Sequence, residues 1–154
     1  MLTDSKSSIG NRQSTISLCY LELFDSEDGV IVGTGIDIVE VPRVAAAIER
    51  FGRRFIDRLF TEGEIRYCDS KQNRAERYAA RFAAKEAALK AIGTGWKRGV
   101  AWREVEVTRE PGGRPAIVFH GKAAQFAAGL GMKRASLSLS HTADHAVAQV
   151  ILED

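Results

Sequence analysis

The chain has too little cysteine and histidine for a disulfide framework or a typical zinc site. Its two cysteines, Cys19 and Cys68, are 49 positions apart, with no second cysteine or histidine at metal-ligand spacing. Small proteins that depend on disulfides carry more cysteines at closer intervals. We therefore expect a protein of the reducing cytoplasm.

Long apolar runs are also missing. No segment approaches the roughly 18 to 20 apolar residues that a membrane-spanning helix needs. The first residues lack a basic start followed by an apolar core, so no secretory signal is expected. The sequence thus predicts no membrane partner.

A strong net charge is absent as well, because 22 basic and 20 acidic residues leave only +2. This balance argues against a nucleic-acid partner bound by a protein-wide basic field. The charge is nevertheless uneven: residues 43–90 carry 12 basic and 7 acidic side chains, whereas residues 1–42 carry 2 and 7. The basic middle segment indicates a local anionic partner, or else a solvated helix face.

The remaining composition is that of one globular domain, with 45% hydrophobic and 27% charged residues. We place this domain at residues 30–154. Residues 1–29 begin with a polar, serine-rich stretch and are expected to be a disordered or accessory extension, or to precede the true start. Within them, residues 18–24 could form an extra strand.

Periodicity and turn residues predict an α+β fold with a largely antiparallel sheet, one long helix and shorter helices. Thr61 and Glu64 have the spacing of a capping box, which predicts a short helix start. The predicted strands are 30–39, 102–108, 116–119, 135–140 and 146–152, and the predicted helices are 43–58, 61–68, 75–92 and 121–130.

The long alanine-rich helix carries an acidic residue on an otherwise apolar face. Phe82, Glu86 and Lys90 follow one another at intervals of four and so share that face. Glu86 and Lys90 could simply form a surface ion pair. Alternatively, Glu86 faces a cation or a metal, since burying an unpaired carboxylate is costly.

Asp37 is the second unusual acid, because it lies inside an apolar strand between Ile36 and Ile38. Aspartate is disfavoured in strands, so a ligand or a cation explains it better than propensity does. The preceding Gly33-Thr-Gly35 does not fit a dinucleotide loop, since a third glycine and a directly following helix are missing.

The histidines argue against zinc. His141 and His145 are four apart, but they flank a predicted strand-to-strand turn rather than lying on a helix. His141 at a strand end suits hydrogen bonding to a phosphate or proton transfer. His145 and His120 are expected to be structural, and no serine or cysteine lies in a nucleophile elbow.

The residues left as candidates for a functional site are Asp37, Glu86, Lys90 and His141. Hard oxygen ligands without cysteine suit Mg²⁺, which usually also binds substrate phosphates. These groups around a pyrophosphate would form a phosphoryl-transfer site.

Three motifs in order resemble the phosphopantetheinyl transferases, specifically the short holo-[acyl-carrier-protein] synthase type. Gly35-Ile-Asp37 with Arg43 resembles GxDxxxxxR, and residues 82–95 are similar to FxxKEAxxKAxGxG at every specified position. Ser138-Leu-Ser-His141 followed by Ala146-Val-Ala-Gln-Val resembles the SxSH…AxAxV ending. Apart from these three motifs, Gly113-Arg-Pro115 resembles the GKP hairpin of the family, with arginine in place of lysine. The resemblance spans residues 30 to 153.

The resemblance implies transfer of 4′-phosphopantetheine from coenzyme A to a serine of apo-acyl carrier protein, in support of fatty acid biosynthesis. Asp37 and Glu86 would ligate Mg²⁺, Lys90 would stabilise phosphate charge or assist proton transfer, and Gly93 and His141 would join Lys90 in binding the coenzyme. The base that activates the serine stays open between Asp37, Glu86, Lys90 and a water.

The resemblance also implies a homotrimer with sites between subunits, and an acidic carrier protein docked on Arg43, Arg50, Arg53 and Arg54.

Two alternative functions belong to other classes of protein. A non-catalytic module that binds coenzyme A or the carrier would not need Glu86 and Lys90. A nucleic-acid module would need aromatics interleaved with arginine, whereas Phe51 and Phe55 are spaced as core residues.

Overall fold

The structure is a computed structural model that describes residues 29–95 and 98–154. The predicted extension, including the possible strand at 18–24, lies outside the described residues apart from Gly29. The elements are β1 (Ile31–Glu40), α1 (Val41–Leu59), α2 (Glu62–Asp69), α3 (Arg74–Ala91), a 3₁₀ turn (Trp102–Glu104), β2 (Val105–Arg109), β3 (Pro115–Phe119), α4 (Gly121–Gly129), β4 (Arg134–His141) and β5 (His145–Glu153).

The predicted α+β class and antiparallel pairing are confirmed. The strands form a three-stranded sheet in the order β1-β5-β4 and a separate β2-β3 hairpin. Asp37 lies opposite Ala148 of β5, and Ile38 lies opposite Val147. One boundary was wrong: the strand expected from Trp102 begins at Val105, because residues 102–104 form the 3₁₀ turn. In the described part of the chain, every helix is too short or too polar to cross a bilayer.

The long helix α3 is buried because alanines face the sheet on one side and the other helices on the opposite side. Ala83, Ala84, Ala87 and Ala88 are fully buried between these layers. Small side chains let neighbouring backbones approach closely, which brings the groups at the helix surface near those of the sheet.

The contact between β1 and α3 has no room for a side chain on the strand. A methyl group added to Gly35 would overlap the carbonyl oxygen of Ala87 and lie 2.8 Å from the backbone nitrogen of Ala91. One added to Gly33 would overlap the carbonyl oxygen of Ala91. The two glycines of the Gly-Thr-Gly segment therefore serve helix packing.

The first helix bends at Gly52, whose φ of 58° and ψ of −142° are not helical. Ile48 and Phe55 on either side of the bend pack against the buried core. Phe51, which helical spacing places with them, is 54% exposed. The expectation that Phe51 is a core residue is therefore wrong: the chain leaves helical geometry at the next residue, and the Phe51 ring lies in solvent beside the Arg50 guanidinium.

A buried ion pair ties α2 to α3. Lys85 Nζ lies 2.8 Å from Glu64 Oε2, and both side chains are fully buried. Lys85 also donates to the carbonyl oxygens of Trp102 and Val105. Glu64 completes the predicted capping box with Thr61. Burial lowers the pKa of Lys85, and the Glu64 carboxylate opposes that shift.

Replacing Gly35 with alanine should force β1 away from α3. Overpacking of this kind costs about 1 to 3 kcal/mol of unfolding free energy, and urea denaturation measures it. Gly129→Ala is the matched control, because a methyl group there meets nothing within 4 Å. That variant should be neutral or slightly stabilised, since alanine is the better helix former. Equal stability of the two variants would show that the strand and helix do not need the close contact.

Candidate active site

Asp37 and Glu86 line one cavity between β1, α1 and α3. Its volume is about 330 Å³. Phe82 forms part of the wall, and its ring stacks on Trp102 with centroids 5.1 Å apart. The complete lining is Asp37, Ile38, Val39, Arg43, Val44, Ala47, Phe55, Phe82 and Glu86.

Lys90 holds Asp37 in place. Its Nζ donates to Asp37 Oδ1 at 2.7 Å and to the carbonyl oxygen of Ile36 at 2.9 Å. The Asp37 side chain is 15% exposed, whereas that of Lys90 is half-exposed. A cationic side chain thus lies beside the cavity, paired with Asp37 and half-exposed.

The donor set of this cavity fits Mg²⁺. Two carboxylates line the same space, and Mg²⁺ typically takes one or two carboxylates and completes its shell with water and substrate phosphates. Residues 29–95 and 98–154 contain no group of three or more histidine, cysteine or acidic residues placed to hold a metal ion together. A metal here would therefore depend on the substrate for part of its coordination.

His141 lies in a different cavity of about 330 Å³. The two cavities share no lining residue, so within one protomer the structure does not bring His141 to Asp37 and Glu86. The cavity that contains His141 is basic, because three arginines line it. The complete lining is Tyr67, Arg77, Ala80, Arg81, Val107, Arg109, Pro115, Leu139, Ser140 and His141.

Both ring nitrogens of His141 face α3. Arg77 donates to Nε2 at 2.7 Å, because a guanidinium can only donate. The neutral ring then carries its proton on Nδ1, which lies 3.2 Å from Glu76 Oε2 but outside hydrogen-bonding geometry. His141 is thus oriented by Glu76 and Arg77, away from the carboxylate pair.

The second cavity contains cationic groups that the sequence reasoning missed. The Nε atoms of Arg77 and Arg81 are buried and lack a hydrogen-bond partner among the described residues. The Arg81 guanidinium lies 3.9 Å above the ring of Tyr67. Buried donors of this kind suit an anion. The four-residue spacing of Arg77 and Arg81 was the signal that could have revealed this basic face of α3.

Of the other proposed residues, only Arg43 lines one of these two cavities. Gly93 ends α3 with a φ of 70° and donates its backbone N–H to the Lys90 carbonyl oxygen at 3.0 Å. Arg43 lines the Asp37 cavity. Arg50, Arg53 and Arg54 are exposed on α1, and Arg53 pairs with Asp57 at 2.7 Å.

The remaining histidines and the buried cysteine lie in contacts that serve the fold rather than catalysis. His145 begins β5 after a tight turn whose Thr142 hydroxyl accepts the His145 backbone N–H, so the histidine pair is not on a helix. His120 pairs with Glu106 at 3.0 Å. Cys68 is fully buried, and this burial raises the pKa of its thiol to about 12, which makes it a poor nucleophile.

Comparison with known proteins places this geometry in a family. The profile of the 4′-phosphopantetheinyl transferase superfamily matches residues 33–150. A holo-[acyl-carrier-protein] synthase from Koribacter versatilis is 69% identical over 125 residues, which is 81% of this chain and 100% of that protein.

The fold also matches those of solved structures. The holo-[acyl-carrier-protein] synthase of Neisseria meningitidis superposes with a TM-score of 0.74 at 32% identity, covering 81% of this chain and 100% of that one. The Helicobacter pylori synthase in complex with coenzyme A gives a TM-score of 0.68 at 28% identity, covering 77% and 98%. The chain belongs to the 4′-phosphopantetheinyl transferase superfamily and, within it, to the holo-[acyl-carrier-protein] synthases. The family and the enzyme class predicted from the three motifs are confirmed.

Proposed function

We propose that this enzyme transfers 4′-phosphopantetheine from coenzyme A to a serine of an apo-acyl carrier protein. The observation that carries the proposal is the shared cavity of Asp37 and Glu86, with Lys90 bonded to Asp37. The relatives named above support the substrates, since their names specify the carrier protein and one was solved with coenzyme A. Such a reaction would serve fatty acid biosynthesis.

Asp37 and Glu86 would hold Mg²⁺ beside the pyrophosphate of the coenzyme. When bound, the metal neutralises charge on the phosphate oxygens. Lys90 fixes the orientation of the Asp37 carboxylate and adds a second positive charge at the edge of the cavity. Phe82 and Phe55 supply an apolar wall, which strengthens these charge interactions by limiting water.

The transfer is a substitution at phosphorus. The serine oxygen forms a bond to the phosphorus that carries pantetheine, and the bond from that phosphorus to the bridging pyrophosphate oxygen breaks. Adenosine 3′,5′-bisphosphate leaves with the electron pair of that bond. The carboxylates of Asp37 and Glu86 are the basic groups in the cavity lining, and either can accept the serine proton.

The basic cavity around His141 suits the third phosphate of coenzyme A, at the 3′ position. Arg77 and Arg81 offer buried donors, and Tyr67 provides an aromatic surface beside them. Because the two cavities share no lining residue, a coenzyme bound between neighbouring subunits would contact one cavity of each.

A homotrimer would bring such cavities together, and the outer face of the sheet supports association. Ile36 is 61% exposed and Ile38 67% exposed on β1, and Val147 lies directly opposite Ile38 on β5. A contiguous apolar patch on a sheet typically marks an interface. We propose that this face joins the subunits.

Removal of either carboxylate should abolish transfer without unfolding the protein. Mass spectrometry of apo-carrier protein incubated with coenzyme A and Mg²⁺ should show addition of one phosphopantetheine with the wild type and none with Asp37→Ala or Glu86→Ala. EDTA should stop the wild-type reaction, and added Mg²⁺ or Mn²⁺ should restore it. Glu62→Ala, at an exposed position on α2, is the control. Full activity in EDTA would contradict the metal assignment, and a wild type that never transfers would be a binding module.

The 3′-phosphate assignment predicts a specific loss with dephospho-coenzyme A, which lacks that group. The wild type should bind it at least tenfold more weakly than coenzyme A, since charge-assisted hydrogen bonds contribute about 1.5 to 3 kcal/mol. Arg81→Gln should bind both compounds with similar affinity by calorimetry. A variant that still discriminates between them would show that the 3′-phosphate lies elsewhere.

A charge on the outer sheet face should break the assembly. Ile38→Asp should convert the trimer to monomer in analytical ultracentrifugation, because an unpaired carboxylate would be buried at the interface. Thr108→Asp on the separate hairpin serves as the comparison. An Ile38→Asp protein with the same sedimentation as the wild type would place the interface on another surface.

A further inference from the structure

Tyr67 on α2 lies among three cationic side chains. The guanidinium carbon of Arg81 lies 3.9 Å from the centre of the Tyr67 ring, and that of Arg109 lies 5.0 Å from it. Lys71 Nζ lies 5.2 Å away. The ring is partly buried and packs against the core, so the fold fixes its position. Because the ring and both arginines line the basic cavity, Tyr67 is an aromatic surface within a candidate binding site.

Arg81 is a buried cation without a counter-ion in direct contact. It is 5% exposed, and within residues 29–95 and 98–154 it forms no salt bridge with a carboxylate. Burial of a charged group without a partner is costly. A guanidinium over an aromatic face offsets part of that cost through cation–π attraction. The Tyr67 ring therefore stabilises the Arg81 guanidinium without neutralising it.

An aromatic face and a carboxylate leave an arginine in different states for a ligand. A carboxylate would take up N–H donors of the guanidinium and cancel its charge, so an incoming phosphate would have to displace it. A ring face adds no negative charge. Arg81 indeed keeps its Nε donor without a partner in the described part of the chain. The contact with Tyr67 thus leaves Arg81 able to bind an anion.

We propose that Tyr67 is a positioning residue for the nucleotide end of coenzyme A, whose ring holds Arg81 where its donors reach the 3′-phosphate. This inference rests on the proposed function, which assigns the 3′-phosphate to this cavity. Arg109 has a second contact that orients it, because its Nε donates to the Gly113 carbonyl oxygen at 3.1 Å. Arg81 makes no such hydrogen bond to another described residue, so loss of the ring should act mainly through Arg81.

Calorimetric titration with coenzyme A and with dephospho-coenzyme A tests this role. Tyr67→Leu should bind coenzyme A about tenfold more weakly, because a desolvated cation–π contact has an effect of roughly that size. Its affinity for dephospho-coenzyme A should change less than twofold. Tyr67→Phe should restore wild-type binding of both compounds, because it keeps the ring face and the Tyr67 hydroxyl bonds to no other residue that the structure describes.

Phe51→Leu is the matched control. It also replaces an aromatic ring beside an arginine, since the Arg50 guanidinium carbon lies 5.0 Å from the Phe51 ring centre. Neither residue lines the basic cavity. This variant should bind both compounds with wild-type affinity.

Three results with the variants would overturn the inference. A Tyr67→Leu protein that discriminates between the two compounds as strongly as the wild type would show that other contacts hold Arg81. Equal weakening for both compounds would show that Tyr67 only supports the fold of the cavity. A Tyr67→Phe protein as weak as Tyr67→Leu would assign the effect to the hydroxyl. A wild type that does not discriminate would instead contradict the 3′-phosphate assignment itself, and the role of Tyr67 would fail with it.

Discussion

The backbone of β1 lies directly against the backbone of α3, and the candidate active site depends on this contact. Gly33 and Gly35 leave no side chain between the strand and the carbonyl oxygens of Ala87 and Ala91. As a result Lys90 can reach both the Ile36 carbonyl oxygen and the Asp37 carboxylate. The glycines therefore control the distance between the strand that carries Asp37 and the helix that carries Glu86.

Helix α3 carries three sets of functional side chains, each with different surroundings. Its Phe82–Glu86–Lys90 face meets the strand and the proposed phosphoryl-transfer cavity, while Arg77 and Arg81 face the basic cavity. Lys85 points into the core and is neutralised by Glu64. Rotation of α3 about its axis would break the Lys85–Glu64 pair and leave a buried charge without a partner. The pair therefore holds each face of the helix toward its own surroundings.

Much of this arrangement follows from local sequence patterns. The capping box at Thr61, the alanine-rich helix and the unusual acids at Asp37 and Glu86 are all visible without coordinates, because each depends on near neighbours or fixed periodicity. The bend at Gly52 could not be predicted, since a glycine inside a helical pattern does not reveal that its φ is positive. The separation of His141 from the carboxylates is equally non-local, because it depends on which face of α3 packs against β4.

A crystal structure with coenzyme A and Mn²⁺, in which anomalous scattering locates the metal, tests most directly whether Asp37 and Glu86 hold a metal on the pyrophosphate. We expect one anomalous peak between the carboxylates of Asp37 and Glu86, in contact with the pyrophosphate and near Lys90. A peak in the arginine-lined cavity of His141, or a pyrophosphate bound away from both carboxylates, would contradict it.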